Sequence, residues 1–162
     1  MWRSVYEMAE MIEYELSAAE TTQLDLISGD AVASLATRRS GAWGPRFGMR
    51  FTAVHSASAT VDVPRDTRFA RQQAMEAIAE FGHVIPDPNG TKDGSVWGIV
   101  RSGLMNMVPA LVRVDIEPSA GGSIARVVAM GREGLIKQRI GAKAADRIGI
   151  AMQADRGNNT VQ

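Results

Sequence analysis

The chain predicts an α+β fold in which an antiparallel sheet packs against a long C-terminal helix, with an extra helix at the N-terminus. Three observations predict it. Residues 111–117 alternate Val112, Val114 and Ile116 with Arg113, Asp115 and Glu117, the period-two pattern of a strand with one buried and one wet face. Pro118, Gly121 and Gly122 then supply turn chemistry before a second β-branched run through Ile124, Val127 and Val128, which makes a hairpin. After Gly131 the period changes: Ile136, Ile140, Ala144, Ile148 and Met152 recur every four residues, with Lys137, Arg139, Lys143 and Arg147 elsewhere, so a helix is expected from Leu135 to Met152.

The elements that precede this unit follow in order. Ser4 and Glu7 have the spacing of a capping box, and Val5, Met8, Ile12, Leu16 and Ala19 mark one face of a first helix that reaches about Leu24. Glu7, Glu10, Glu13 and Glu20 fall on its other face, expected to be solvated. Gly29 and Asp30 break it, and residues 31–36 can form a further short helix. Arg38, Arg39, Ser40, Gly41, Gly44, Pro45 and Gly48 have the composition of a linker. Beyond it, Phe51, Ala53, Thr60, Val61 and Val63 suggest a strand that Pro64 ends, although residues 56–59 are small and polar for one. Asp66 can cap a helix whose stripe is Ala70, Ala74, Ala77, Ile78 and Phe81, with Gly82 as its stop. Residues 83–94, punctuated by Pro86, Pro88, Gly90 and Gly94, are expected to be loop, and residues 95–100 strand. The organisation expected is an N-terminal helical appendage and linker (1–48), an α+β core (49–153) and a flexible tail (154–162).

Composition bounds the function without naming it. A chain of 162 residues with 45% hydrophobic and 22% charged residues suits one globular core. The net charge is zero, and the charge falls in successive acidic, basic, acidic and basic blocks, so no global field draws nucleic acid. With no cysteine there is no disulfide framework, thiolate nucleophile or thiolate metal ligand. The longest uncharged run, residues 102–112, falls short of the roughly 18 residues needed to span a bilayer. No export signal is visible in the glutamate-rich start, and a cytoplasmic location is the expectation.

Motifs carry little chemistry. Asp87, Asn89, Thr91 and Asp93 alternate as in calcium loops, but Lys92 stands where an EF-hand needs glycine and no closing glutamate follows. In the D-x-D-G-T nucleophile motif of haloacid-dehalogenase-like phosphotransferases the second acid would be Asn89, so that comparison fails as well. His55 and His83 are the only histidines, and either could serve as a base only if Asp62, Asp87 or Asp93 oriented it. G-x-S-x-G, G-x-G-x-x-G, the P-loop and H-E-x-x-H are absent. The expectation leans away from an enzyme, with no catalytic residue, metal or cofactor assigned.

The order of strand, helix, strands, hairpin and C-terminal helix over residues 49–153 resembles the helix-grip arrangement of the START and Bet v 1-like superfamily. The residues that carry the resemblance are 60–64, the hairpin of 112–128 and the helix of 135–152. The resemblance implies a curved sheet wrapped around a helix and a cavity between them. On that reading the chain binds a small apolar ligand, lined by Trp97, Leu104, Met105, Met107, Met130 and Ile140. The alternative is a protein-interaction module acting through its acidic first helix or its basic last one, with a homo-oligomer formed through the first helix.

Overall fold

The computed structural model describes residues 20, 22, 23, 53–90, 94–102, 108–133 and 139–154. They form five strands and two helices: β1 (Ala53–Val63), α1 (Thr67–Phe81), β2 (Gly82–Ile85), β3 (Val96–Ser102), β4 (Val108–Ser119), β5 (Gly122–Glu133) and α2 (Ile140–Ala154). All neighbouring strands are antiparallel, in the order β1-β5-β4-β3-β2, so the first strand lies beside the last and the sheet is open at β1 and β2. The α+β class read from the sequence is the class observed.

Alternation within the strands divides their side chains between two faces. Val61, Val63, Val96, Val100, Val112, Val114, Val127 and Ala129 face the helices and meet Ala70, Ala74, Ala77 and Ile78 of α1 and Ile140, Ala144, Ala145, Ile148 and Met152 of α2. Two glycines set how closely the helices sit. A Cβ on Gly98 would collide with Ile78 Cγ2, and one on Gly131 would lie 2.6 Å from Ile140 Cγ2, so each isoleucine is seated on bare backbone. Burying Ile78 completely is worth about 1.5–3 kcal/mol. Trp97, Leu111, Val128 and Met130 form a second, smaller cluster, at most 2% exposed, on the other side of the sheet.

Polar contacts fix the helices to this frame. Asp66 caps α1, its Oδ1 accepting the Phe69 N–H at 2.8 Å, as the sequence suggested. Arg71 donates to the Gly94 carbonyl at 2.8 Å. Buried Ser102 donates to the Ile140 carbonyl at 3.0 Å and ties the end of β3 to the start of α2. Ser123 does the same between β5 and Arg65 in the β1–α1 turn, at 2.8 Å.

Several expectations are corrected. The last helix begins at Ile140, not at Leu135, because β5 continues to Glu133 and Arg139 has φ 53°, a left-handed conformation that a helix cannot pass through. Residues 82–85, expected as helix stop and loop, are an edge strand. Gly82 lies so close to β3 that a Cβ would collide with the Ile99 carbonyl, and only glycine allows α1 to pass directly into β2. Residues 56–59, which looked too small for a strand, lie mid-way along β1, where Ala57 and Ala59 are buried. Their size lets α2 approach: a Cβ on Gly149 would stand 3.6 Å from Ala59 Cβ and Val61 Cγ2. Glu20, Thr22 and Gln23 are helical, but Glu20 is 1% exposed, not solvated as its helix face suggested. The rest of the expected first helix, the linker, residues 31–36 and the tail beyond Ala154 lie outside the described residues.

Candidate functional site

A groove of about 640 Å³ runs between the two helices. Helical periodicity builds both walls. Gln73, Glu76, Ala77, Glu80 and Phe81 recur at three- and four-residue spacing along α1, and Lys143, Asp146, Arg147, Ile150 and Ala151 do so along α2. Ala77, Phe81, Ile150 and Ala151 make an apolar lining, and Ile150 is half exposed. Glu76, Glu80, Asp146, Lys143 and Arg147 supply charge around it.

The charges are not equivalent. Arg147 donates to the Arg101 carbonyl at 3.1 Å and stacks on Phe81, its guanidinium carbon 5.2 Å from the ring centroid, so it is part of the frame at one end of the groove. Glu76 accepts from Gln72 Nε2 at 2.7 Å. Asp146 is partly buried, and that desolvation raises its pKa above the ordinary 3.8, partly offset by the Arg139 charge. Gln73 is the unusual member. It is 5% exposed, and its Oε1 is buried with no hydrogen-bond partner. An amide oxygen taken out of water without a partner costs about 1–3 kcal/mol. A neutral apolar residue at 73 would have avoided that.

The residues proposed from sequence do not converge. Trp97 and Met130 belong to the cluster on the side of the sheet away from the helices, whereas Ile140 belongs to the helix-side core. Leu104, Met105 and Met107 lie outside the described residues. The interval between the sheet and α2 is filled. A cavity there would leave its walls accessible to a water-sized sphere, yet Val127, Ala129, Ala145 and Ile148 are all 0% exposed. The two histidines sit on β1 and β2, the opposite edges of the sheet, about 19 Å apart at the usual strand spacing. They cannot act on one substrate atom. Asp87 closes a turn, its Oδ1 accepting the Asn89 N–H at 2.8 Å, with Gly90 at φ 63°. No group of three His, Asp or Glu side chains able to hold a metal occurs among the described residues. The expected basic face of α2 is divided: Lys143 is exposed, Arg147 is engaged, Arg139 precedes the helix and Lys137 lies outside the described residues.

A second hollow of about 380 Å³ lies against β1, β5 and β4, lined by Thr60, Arg113, Asp115, Glu117, Ile124 and Arg126. Its charges answer one another. Arg113 pairs with Asp115 at 2.6 Å and lies 5.5 Å above the Trp97 ring, and Arg126 stands opposite Asp115 in the ladder. The interhelical groove is therefore the stronger candidate, since it is the larger of the two and has an apolar wall.

Sequence reasoning missed the groove, although one signal was present. Position 73 falls within the stripe of Ala70, Ala74, Ala77 and Ile78, and a glutamine there breaks an otherwise apolar row. No helix among the described residues is long and apolar enough to cross a membrane. No family model and no curated protein matches the chain.

Proposed function

We propose that this protein binds a small, partly apolar molecule, and that the molecule lies in the groove between α1 and α2. The observation that carries the reading is the groove itself. Its volume of about 640 Å³ falls in the range of small-molecule sites, and its apolar wall of Ala77, Phe81, Ile150 and Ala151 is bordered by polar groups that can orient a ligand. The space beneath α2, where the helix-grip resemblance put a cavity, is filled, so the ligand is proposed in the cleft between the helices and not between sheet and helix.

A thermal-shift screen of small amphipathic molecules, run in parallel on the parent and on Ile150→Ser, tests the proposal. Ile150 is half exposed, so the substitution removes one apolar wall at little cost to the fold. Ligands that raise the melting temperature of the parent are expected to lose most of that effect in Ile150→Ser. Shifts of equal size in both proteins would place the ligand elsewhere.

A further inference from the structure

We infer that the chain's own N-terminal segment, residues 5–19, lies as a helix across the back of the sheet, on the face opposite α1 and α2, and covers the Trp97 cluster. Trp97, Leu111, Val128 and Met130 are at most 2% exposed, with Val54, Ile85 and Ile99 packed against them. Burial this complete needs a covering layer, and α1 and α2 both lie on the other face. These seven residues come from all five strands, so the layer has to span four strand spacings, about 19 Å.

Length decides which segment supplies the layer. Residues 91–93, 103–107 and 134–138 are connections that must return to the elements they join, and five residues reach only about 17 Å even when fully extended. Residues 155–162 leave α2 on the opposite face and hold one large apolar side chain, Val161. Between residues 24 and 52 the longest helix expected from the sequence is 31–36, about 9 Å long. The stripe that runs from Val5 through Met8, Ile12 and Leu16 to Ala19 is about 21 Å long as a helix, which matches the width of the face. Glu20 and Thr22 then show which side meets the fold. Both are helical, but Glu20 is 1% exposed while Thr22 is exposed. Glu20 follows Leu16 by four residues and shares its side of the helix, whereas Thr22, two residues further on, falls on the far side. The molecule is then a three-layer sandwich, and the back of its sheet is closed to a ligand.

The chain has no cysteine, so a single nitroxide can be attached to the full chain at Glu10→Cys, two residues from both Met8 and Ile12 and hence on the side away from the stripe. In an NMR spectrum its relaxation effect is expected to broaden the Trp97 indole N–H and the Met130 methyl several-fold more than the Ile78 and Ile148 methyls on the helix side. A mixture of isotope-labelled parent with spin-labelled chain lacking the isotopes is expected to show no such effect, because the contact is within one chain. Stronger broadening of Ile78 and Ile148, or broadening that is equal in the two sets or absent from both, would overturn the inference. The same pattern appearing in the mixture would overturn it too, since a second copy would then be the cover.

Discussion

The two glycines of α2, Gly141 and Gly149, make opposite predictions from one geometry. Inside a helix, glycine is less favourable than alanine by about 0.8–1 kcal/mol, so replacement stabilises wherever a methyl group fits. At Gly149 it fits: the nearest atoms to an added Cβ are Ala59 Cβ and Val61 Cγ2, both at 3.6 Å, which is ordinary contact. Gly149→Ala should therefore stabilise by about 1 kcal/mol, which in a chain of this size raises the melting temperature by about 2–4 °C. Gly141 differs. An added Cβ would stand 2.8 Å from the Ala129 carbonyl oxygen and 3.1 Å from that of His55, and both are backbone atoms of paired strands that cannot swing aside. The first turn of α2 would have to lift from β1 and β5, and overpacking of this kind costs about 1–3 kcal/mol. Differential scanning calorimetry of the two single variants reads both signs. If Gly141→Ala stabilised as much as Gly149→Ala, the first turn of α2 would not rest on β1 and β5 as described.

Three further predictions follow from the same contacts. Lys143→Gln should leave the melting temperature within about 1 °C of the parent, since exposed charges contribute little, whereas Arg147→Gln should lower it, because the side chain bonds the Arg101 carbonyl and covers Phe81; equal values for the two would remove Arg147 from the frame. Asp146 has a folded pKa raised above 3.8 by burial, so its contribution to stability is greatest below that pH and is lost as pH rises through the folded value. Asp146→Asn should accordingly be at least as stable as the parent at neutral pH and lose that advantage in acid, and a parent more stable at neutral pH would reverse the sign. A chain begun at Met49 retains the helix-side core and is expected to melt cooperatively, but at a lower temperature, because buried Glu20 leaves with the deleted segment. An unchanged melting temperature would make residues 1–48 a dispensable appendage.

The sheet was legible where one face is buried and the other is not. In β4, Val112 and Val114 are fully buried and Ile116 is half buried, while Arg113 and Asp115 pair on the opposite face, so alternation alone assigned the two faces. Asp66 and the alanine stripe of α1 were legible for similar reasons, since a cap and a helical period are local signals. β2 was not, because four residues between a helix end and two prolines carry no period, and their pairing depends on Ile99 and Trp97 across the sheet. The start of α2 was misread because Leu135 and Ile136 extend the apolar period, while the break is made by the backbone at Arg139. The groove was hidden for a different reason. It exists only because α1 and α2, far apart in sequence, share one face of the sheet, and its lining mixes two residues of the α1 stripe, Ala77 and Phe81, with charged residues that in isolation look like the solvated sides of two helices. Trp97 and Met130, chosen as ligand contacts for their size and softness, instead fill a cluster behind the sheet with Leu111 and Val128.

The central claim, that a ligand lies between the helices, is tested most directly by a heteronuclear NMR titration of the full chain with an amphipathic molecule that raises its melting temperature. The side-chain amide of Gln73 and the methyl groups of Ala77, Ile150 and Ala151 report on the groove, and the Trp97 indole N–H and the Met130 methyl report on the opposite side of the sheet. Saturable shifts confined to the first set, with the Ile150 methyl groups among the largest, are the predicted result. Shifts centred on Trp97 and Met130, or none that saturate, would contradict the account.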